Sequence, residues 1–157
     1  MPDPITHDLI VIGWRERLTL PALGLLAMKA KIDTGARTSA LHVSSLEEIH
    51  RDGETWLRFA VDTLRHRAPP TVCEAKATDR RNVTDSGGNT ATRWFIRTTV
   101  GLAGQLFDAE INLTDRGNMM FPMLVGRTAI SGRFIVNPSQ SYLHGRRRSR
   151  VEPAERT

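Results

Sequence analysis

The sequence holds a single cysteine, Cys73, in 157 residues, so no internal disulfide can form and the chain suits a reducing compartment. No apolar run approaches the roughly 20 residues that cross a bilayer as a helix. The opening segment, Met1-Pro-Asp-Pro-Ile-Thr-His-Asp8, lacks the basic stretch and apolar core of a secretory signal. These absences make a cytoplasmic protein without membrane contact the expectation. There is no His-Glu-x-x-His and no cysteine pair, and His7, His42, His50, His66 and His144 are scattered, so no metal site is expected. No Gly-rich phosphate loop of the P-loop type occurs, so no nucleotide or other cofactor is expected. Cys73 has no histidine motif beside it and lies in a strand pattern, where a buried, inert thiol is expected.

What is present reads as one soluble domain. The chain is 39% hydrophobic and 25% charged, which separates it from disordered and fibrous classes. The net charge of +5 is uneven. Residues 146–157 carry Arg146, Arg147, Arg148, Arg150 and Arg156 against Glu152 and Glu155, which leaves +2 for residues 1–145. A terminal basic run is a weak electrostatic signal, so specific nucleic-acid binding is not expected. The organisation expected is an arm over 1–8, one domain over 9–144 and a basic, solvated tail over 145–157.

The apolar pattern is short and two-fold. Ile10–Trp14, Arg17–Leu20, Met28–Ile32, Ser39–Val43, Thr55–Val61, Thr71–Lys76, Asn82–Thr84, Thr92–Val100, Phe107–Leu113, Met119–Val125 and Phe134–Val136 read as strands. Asp85-Ser-Gly-Gly-Asn89 is a hairpin tip. Ser44–Arg51 and Arg127–Ser131 look helical. This many short strands with frequent turns predict an all-β sandwich or barrel. Trp14, Trp56 and Trp94 fall in strands, as core or interface residues.

Asp33 ends the strand Met28–Ile32 and opens Asp33-Thr-Gly-Ala36. A carboxylate just beyond a strand, a threonine hydroxyl able to lock a turn, and a glycine permitting close approach or positive φ make a compact chemical unit. Set against a second such turn, two carboxylates share one proton, because like charges a few ångströms apart resist joint ionisation. One then takes a proton from water while its neutral partner hydrogen-bonds the scissile carbonyl. The pair titrates as a unit. Asp-Thr-Gly is also an ordinary turn sequence, so the triplet alone decides nothing.

Longer segments carry more. Ile12-Gly-Trp-Arg15, Lys29-Ala-Lys-Ile-Asp-Thr-Gly-Ala-Arg-Thr-Ser-Ala-Leu-His42, Arg81-Asn-Val-Thr-Asp-Ser-Gly-Gly88 and Met123-Leu-Val-Gly-Arg-Thr128 resemble the retropepsin-like aspartic peptidase family of bacteria and archaea. That family often bears the label "ATP-dependent zinc protease". The resemblance spans about residues 9–144. It implies an all-β, retropepsin-like (acid protease) closed barrel or sandwich with one short C-terminal helix, and one catalytic aspartate per subunit. Asp33 matches that residue, Thr34, Gly35 and Ala36 the supporting turn, and Gly126 and Arg127 the late motif that buttresses it. Arg37, Ser86, Gly87 and Gly88 are the expected substrate-binding positions, the last three in a flap. Asp85-Ser-Gly87 spells a second triplet in the wrong context, so the dyad is expected to need a homodimer.

Viral retropepsins usually place an acidic residue after Asp-Thr-Gly-Ala; here it is Arg37. Some members of the family resemble companions of ATP-grasp ligases that add glutamate tails to a ribosomal protein. Trimming acidic or glutamate-rich peptides would suit Arg37, Arg93 and Arg127, and an ATP-grasp ligase or its glutamate-tailed product becomes an expected partner. Structural ion pairing of these arginines is the competing reading, favoured for any one of them. Nothing in the residues supports the zinc of the family label, and any ATP dependence would come from a partner enzyme. Two other functions compete with a peptidase: a non-catalytic peptide-binding or processing module on the same shell, and a nucleic-acid-binding barrel.

Overall fold

The computed structural model describes residues 8–63, 68–85, 87–115 and 120–144. The expectations for residues 1–7 of the arm, for Ser86, for Met119 and for the basic tail lie outside them. Among the described residues there are twelve strands, β1 (Ile10–Gly13), β2 (Arg15–Leu20), β3 (Leu25–Ile32), β4 (Ser39–His42), β5 (Ser45–Arg51), β6 (Glu54–Val61), β7 (Thr71–Lys76), β8 (Asp79–Thr84), β9 (Thr90–Leu102), β10 (Gln105–Thr114), β11 (Met123–Val125) and β12 (Phe134–Asn137). A single α-helix, α1 (Arg127–Ile130), lies between the last two.

Strands β10, β4, β11, β3, β2 and β9 hydrogen-bond in that order, and β9 pairs back onto β10. Six strands therefore close into a barrel, which removes free edges. The fold is the all-β barrel expected. Strict alternation drives it: in β2, Glu16, Leu18 and Leu20 point inward while Arg15, Arg17 and Thr19 face out. Leu18, Leu20, Met28, Leu41, Ile96 and Ile111 fill the interior, each at most 2% exposed. β8 extends β9 as a hairpin, β5–β6–β7 form a separate antiparallel sheet, and β1 pairs in parallel with β12.

Two expectations fail. Ser44–Arg51 is not helical; Ser45–Arg51 is strand β5, paired from Arg51↔Glu54 to Ser45↔Ala60. The turn decides this. Asp52 (φ 50°) and Gly53 (φ 78°) are both left-handed, the signature of a tight hairpin that forces the flanking segments to pair. The Leu46/Ile49 spacing fits a helical turn equally well, so periodicity was blind here. In the late apolar segment only Met123–Val125 pairs as a strand, and Met120 is 81% exposed.

A buried carboxylate fastens the segment after β12. Glu16 is fully buried. Its Oε2 accepts the amides of Gly13 (2.7 Å) and Leu143 (2.9 Å), and its Oε1 accepts that of His144 (2.9 Å). Charge-assisted bonds of this kind are stronger than neutral ones. Glu16→Gln offers an amide NH2 where a donor must be accepted, leaving a buried N–H unpaired at about 1–3 kcal/mol. The expected result is a Tm lowered by about 3–10 °C, with faster amide exchange at Leu143 and His144.

Cys73 is 4% exposed, with Sγ 3.4 Å from the Leu23 carbonyl. Burial pushes its thiol up to about 11 from 9.0. The thiolate is the reactive species, so a thiol reagent at neutral pH should label the native chain about 100-fold more slowly than the unfolded one. Comparable rates would contradict the buried assignment.

Candidate active site

The turn bearing Asp33 connects β3 to β4, yet those strands do not pair with each other. β11 lies between them, parallel to β3 and antiparallel to β4. The turn must therefore pass over the end of β11, and the hydrogen bonds trace that passage. The Asp33 amide donates to the Val125 carbonyl (2.8 Å), the Arg127 amide to Ala36 (2.6 Å) and the Thr128 amide to Arg37 (3.0 Å). Two distant pieces of sequence are welded here by backbone bonds, which carry no side-chain signature.

Gly126 sits at the crossing. A Cβ there would lie 2.5 Å from the carbonyl carbon and oxygen of Thr38 and 3.0 Å from the Ala36 oxygen. Its amide donates to Ser39 Oγ (3.0 Å), and Asn112 Nδ2 donates to the Ser39 carbonyl (3.0 Å). Ser39 and Asn112, 1% and 4% exposed, are supporting residues that sequence reading missed. Ser39 occupies an inward strand position in line with Leu41, where an apolar residue is expected, and that anomaly was the available signal. Asn112 lies on the opposite face of β10 from Ile111 and Leu113 and lines the groove described below, so its own pattern gave none.

Inside the turn, Asp33 Oδ1 accepts the Gly35 amide (3.0 Å). The carboxylate thus closes its own turn, in place of the Thr34 hydroxyl, which is exposed and bonds nothing among the described residues. Gly35 is not left-handed. A Cβ there would meet only Asp33 Oδ1, at 3.3 Å, so one face of the turn is bare among the described residues.

Asp33 opens into a groove of about 1150 Å³. Trp14, Phe121, Met123 and Leu124 line it, as do residues 81–84 of β8 and Asp85 just beyond. Gly35, Ala36, Arg37 and Arg127 line it as well; Thr34 does not, and neither do Gly87 and Gly88, which sit at the hairpin tip. Asp85 caps that tip, its Oδ1 accepting the amides of Gly87 and Asn89 (both 2.9 Å). Asp85 is thus engaged in closing the hairpin.

Cations dominate the groove: Arg15, Lys31, Arg37, Arg81, Arg93 and Arg127. Arg81 is committed, ion-paired to Glu110 and to Asp79 (2.8 Å) and stacked 3.8 Å over Phe95. Its bond to Glu110, foremost, raises its pKa further above the guanidinium range. Arg93 reaches Asp115 at 3.7 Å. Arg15, Lys31, Arg37 and Arg127 have no carboxylate partner among the described residues; Arg127 Nη1 donates weakly to the Thr34 carbonyl (3.5 Å). Ion pairing therefore accounts for Arg93 and not for Arg37 or Arg127.

Residues 11–147 match the family described as "RimB-like: Retropepsin-like aspartic endopeptidase RimB". The chain belongs to this family. A crystal structure of a Legionella pneumophila protein of unknown function, from the DUF785 group, superposes with a TM-score of 0.72 at 26% identity, covering 87% of this chain and 98% of that one. Curated relatives carry another name. A Shewanella pealeana protein is 37% identical over 90% of this chain, and a Desulfotalea psychrophila protein is 39% identical over 82%. Each is named "Probable alpha-L-glutamate ligase", and this chain spans 31% and 28% of their lengths. No group of three or more histidine, cysteine, aspartate or glutamate side chains suited to a metal ion occurs among the described residues.

Proposed function

We propose that the chain is an aspartic-type peptidase that works as a homodimer on acidic, glutamate-rich peptides. The observation that carries this reading is the groove itself: one half-buried carboxylate, Asp33, among unpaired cations. A single carboxylate cannot serve as base and acid together, and the remaining groove carboxylate, Asp85, is occupied in the hairpin tip. The bare face of Gly35 and the exposed Thr34 hydroxyl suit a second, two-fold related turn. In that pair, an ionised Asp33 takes a proton from water as the oxygen bonds to the scissile carbon, and the protonated Asp33 hydrogen-bonds the carbonyl oxygen. The tetrahedral intermediate collapses by breaking the C–N bond, with a proton passing to the leaving amine. Arg37, Lys31, Arg15 and Arg127 would bind side-chain carboxylates beside the cleavage point.

The test is hydrolysis of a glutamate-rich peptide as a function of protein concentration. A dimeric enzyme gives specific activity that rises with concentration and then saturates; activity independent of concentration down to a demonstrated monomer would sink the shared dyad. The second reading is a non-catalytic module that holds an acidic product for a partner ligase. It draws on relatives that contain this region as about a third of a longer chain with a glutamate-ligase name. Binding of such a peptide without any cleavage, by a verified dimer, would favour it.

A further inference from the structure

Running outward from the groove, β2 and β3 pair like charges directly against each other. The register sets Arg15 opposite Lys31 and Arg17 opposite Lys29. By the two-residue alternation all four leave the same outward face, and rungs two residues apart are about 6.6–6.8 Å apart. Like charges placed directly opposite on a sheet destabilise it, and local costs of this kind concentrate at functional positions. Among the described residues no acid compensates them: none of the ion pairs includes any of these four side chains. The neighbouring strand brings none either, since β11 sets Leu124 beside Lys31.

The strip is ordered. Arg15 Cζ lies 4.6 Å from the Trp14 ring and 4.9 Å from Tyr142, and Arg17 Cζ lies 4.5 Å from Tyr142. Arg15 Nε also donates to Ser141 Oγ (3.2 Å). Tyr142 is held in turn through its amide on the Arg15 carbonyl (2.8 Å) and by the Glu16 clamp on the next two residues. Fixed guanidiniums lose less entropy when they bind.

We infer that Arg15, Lys31, Arg17 and Lys29 form an exosite that continues the active-site groove and holds the extended acidic chain of the substrate away from the cleavage point. Arg15 and Lys31 line the groove, and Arg17 and Lys29 form the next rung outward. In an extended peptide, alternate side chains repeat at the same spacing as the rungs, so carboxylates on every second residue meet them in step. Peptide is favoured over nucleic acid because the strip is continuous with the peptide groove, and its aromatic ring, Tyr142, is already engaged by two guanidiniums instead of offered for base stacking. The inference rests on the acidic-substrate reading above, but not on catalysis.

The test is equilibrium binding of a fluorescent decaglutamate to the full chain, with Arg17→Gln/Lys29→Gln as the variant. Both residues are surface-facing and lie outside the groove. The expected result is about tenfold weaker binding at low salt with a melting temperature no lower than wild type, while Arg51→Gln/Lys76→Gln, which removes equal charge from the β5–β6–β7 sheet, stays within about twofold. Unchanged binding in Arg17→Gln/Lys29→Gln overturns the exosite alone. A wild-type chain that binds no decaglutamate overturns the exosite and the acidic-substrate reading together. Tighter binding of a ten-residue oligothymidylate, lost in the same variant, replaces the peptide assignment with nucleic acid. Hydrolysis is not read, so an inactive chain leaves the result intact.

Discussion

Asp33→Asn should remove hydrolysis of glutamate-rich peptides by a factor of about 10²–10⁴ or more, the contribution of a positioned acid–base group, without unfolding the chain. Asparagine is nearly isosteric, and its Oδ1 can still accept the Gly35 amide that closes the turn at 3.0 Å. It cannot take a proton from water. The shared-dyad reading gives a sharper form of the experiment. When wild-type and Asp33→Asn chains are mixed in equal amounts and allowed to exchange, about a quarter of the dimers retain two carboxylates under random two-fold pairing, so activity should fall well below half. A fall to half would mean each subunit acts alone, and full activity in the pure variant would remove Asp33 from the chemistry.

Gly126→Ala should cost nearly as much activity from a position that touches no substrate. The new methyl would stand 2.5 Å from the Thr38 carbonyl, and the obstacle is backbone, so no side chain can swing clear. Overpacking of this kind costs about 1–3 kcal/mol, a fall in Tm of about 3–10 °C for a chain of this size. Any relief must also shift the Arg127-to-Ala36 and Thr128-to-Arg37 bonds that fix the turn. Displacing a reacting group by about 1 Å can cost 100-fold. A melting temperature and rate both indistinguishable from wild type would show that the crossing is looser than drawn.

Much of this was legible in the residues. Alternation along β2, β3, β6 and β10 announces strands whose inner face must be buried, and the glycine-tipped turn after Thr84 announces a hairpin. Both signals are local, because side-chain period and turn geometry are properties of a few consecutive residues. Ser44–Arg51 shows the limit of that locality: its own pattern suited a helix, and the left-handed pair Asp52–Gly53 overruled it.

The sequence by itself determined the all-β class, a lone cysteine in a strand pattern, Asp33 as the candidate aspartate and a surplus of cations. Only the tertiary structure decided which of those cations are free. Arg81 and Arg93 find acids 29 and 22 residues away, whereas Arg15, Lys31 and Arg37 find none among the described residues. It alone set Gly126 under the Asp33 turn, placed Glu16 against the segment after β12 and brought Arg17 opposite Lys29. The physical reason is common to all of these. Register between strands, and the insertion of β11 between β3 and β4, fix long-range neighbours through backbone hydrogen bonds, and those bonds are the same for every amino acid.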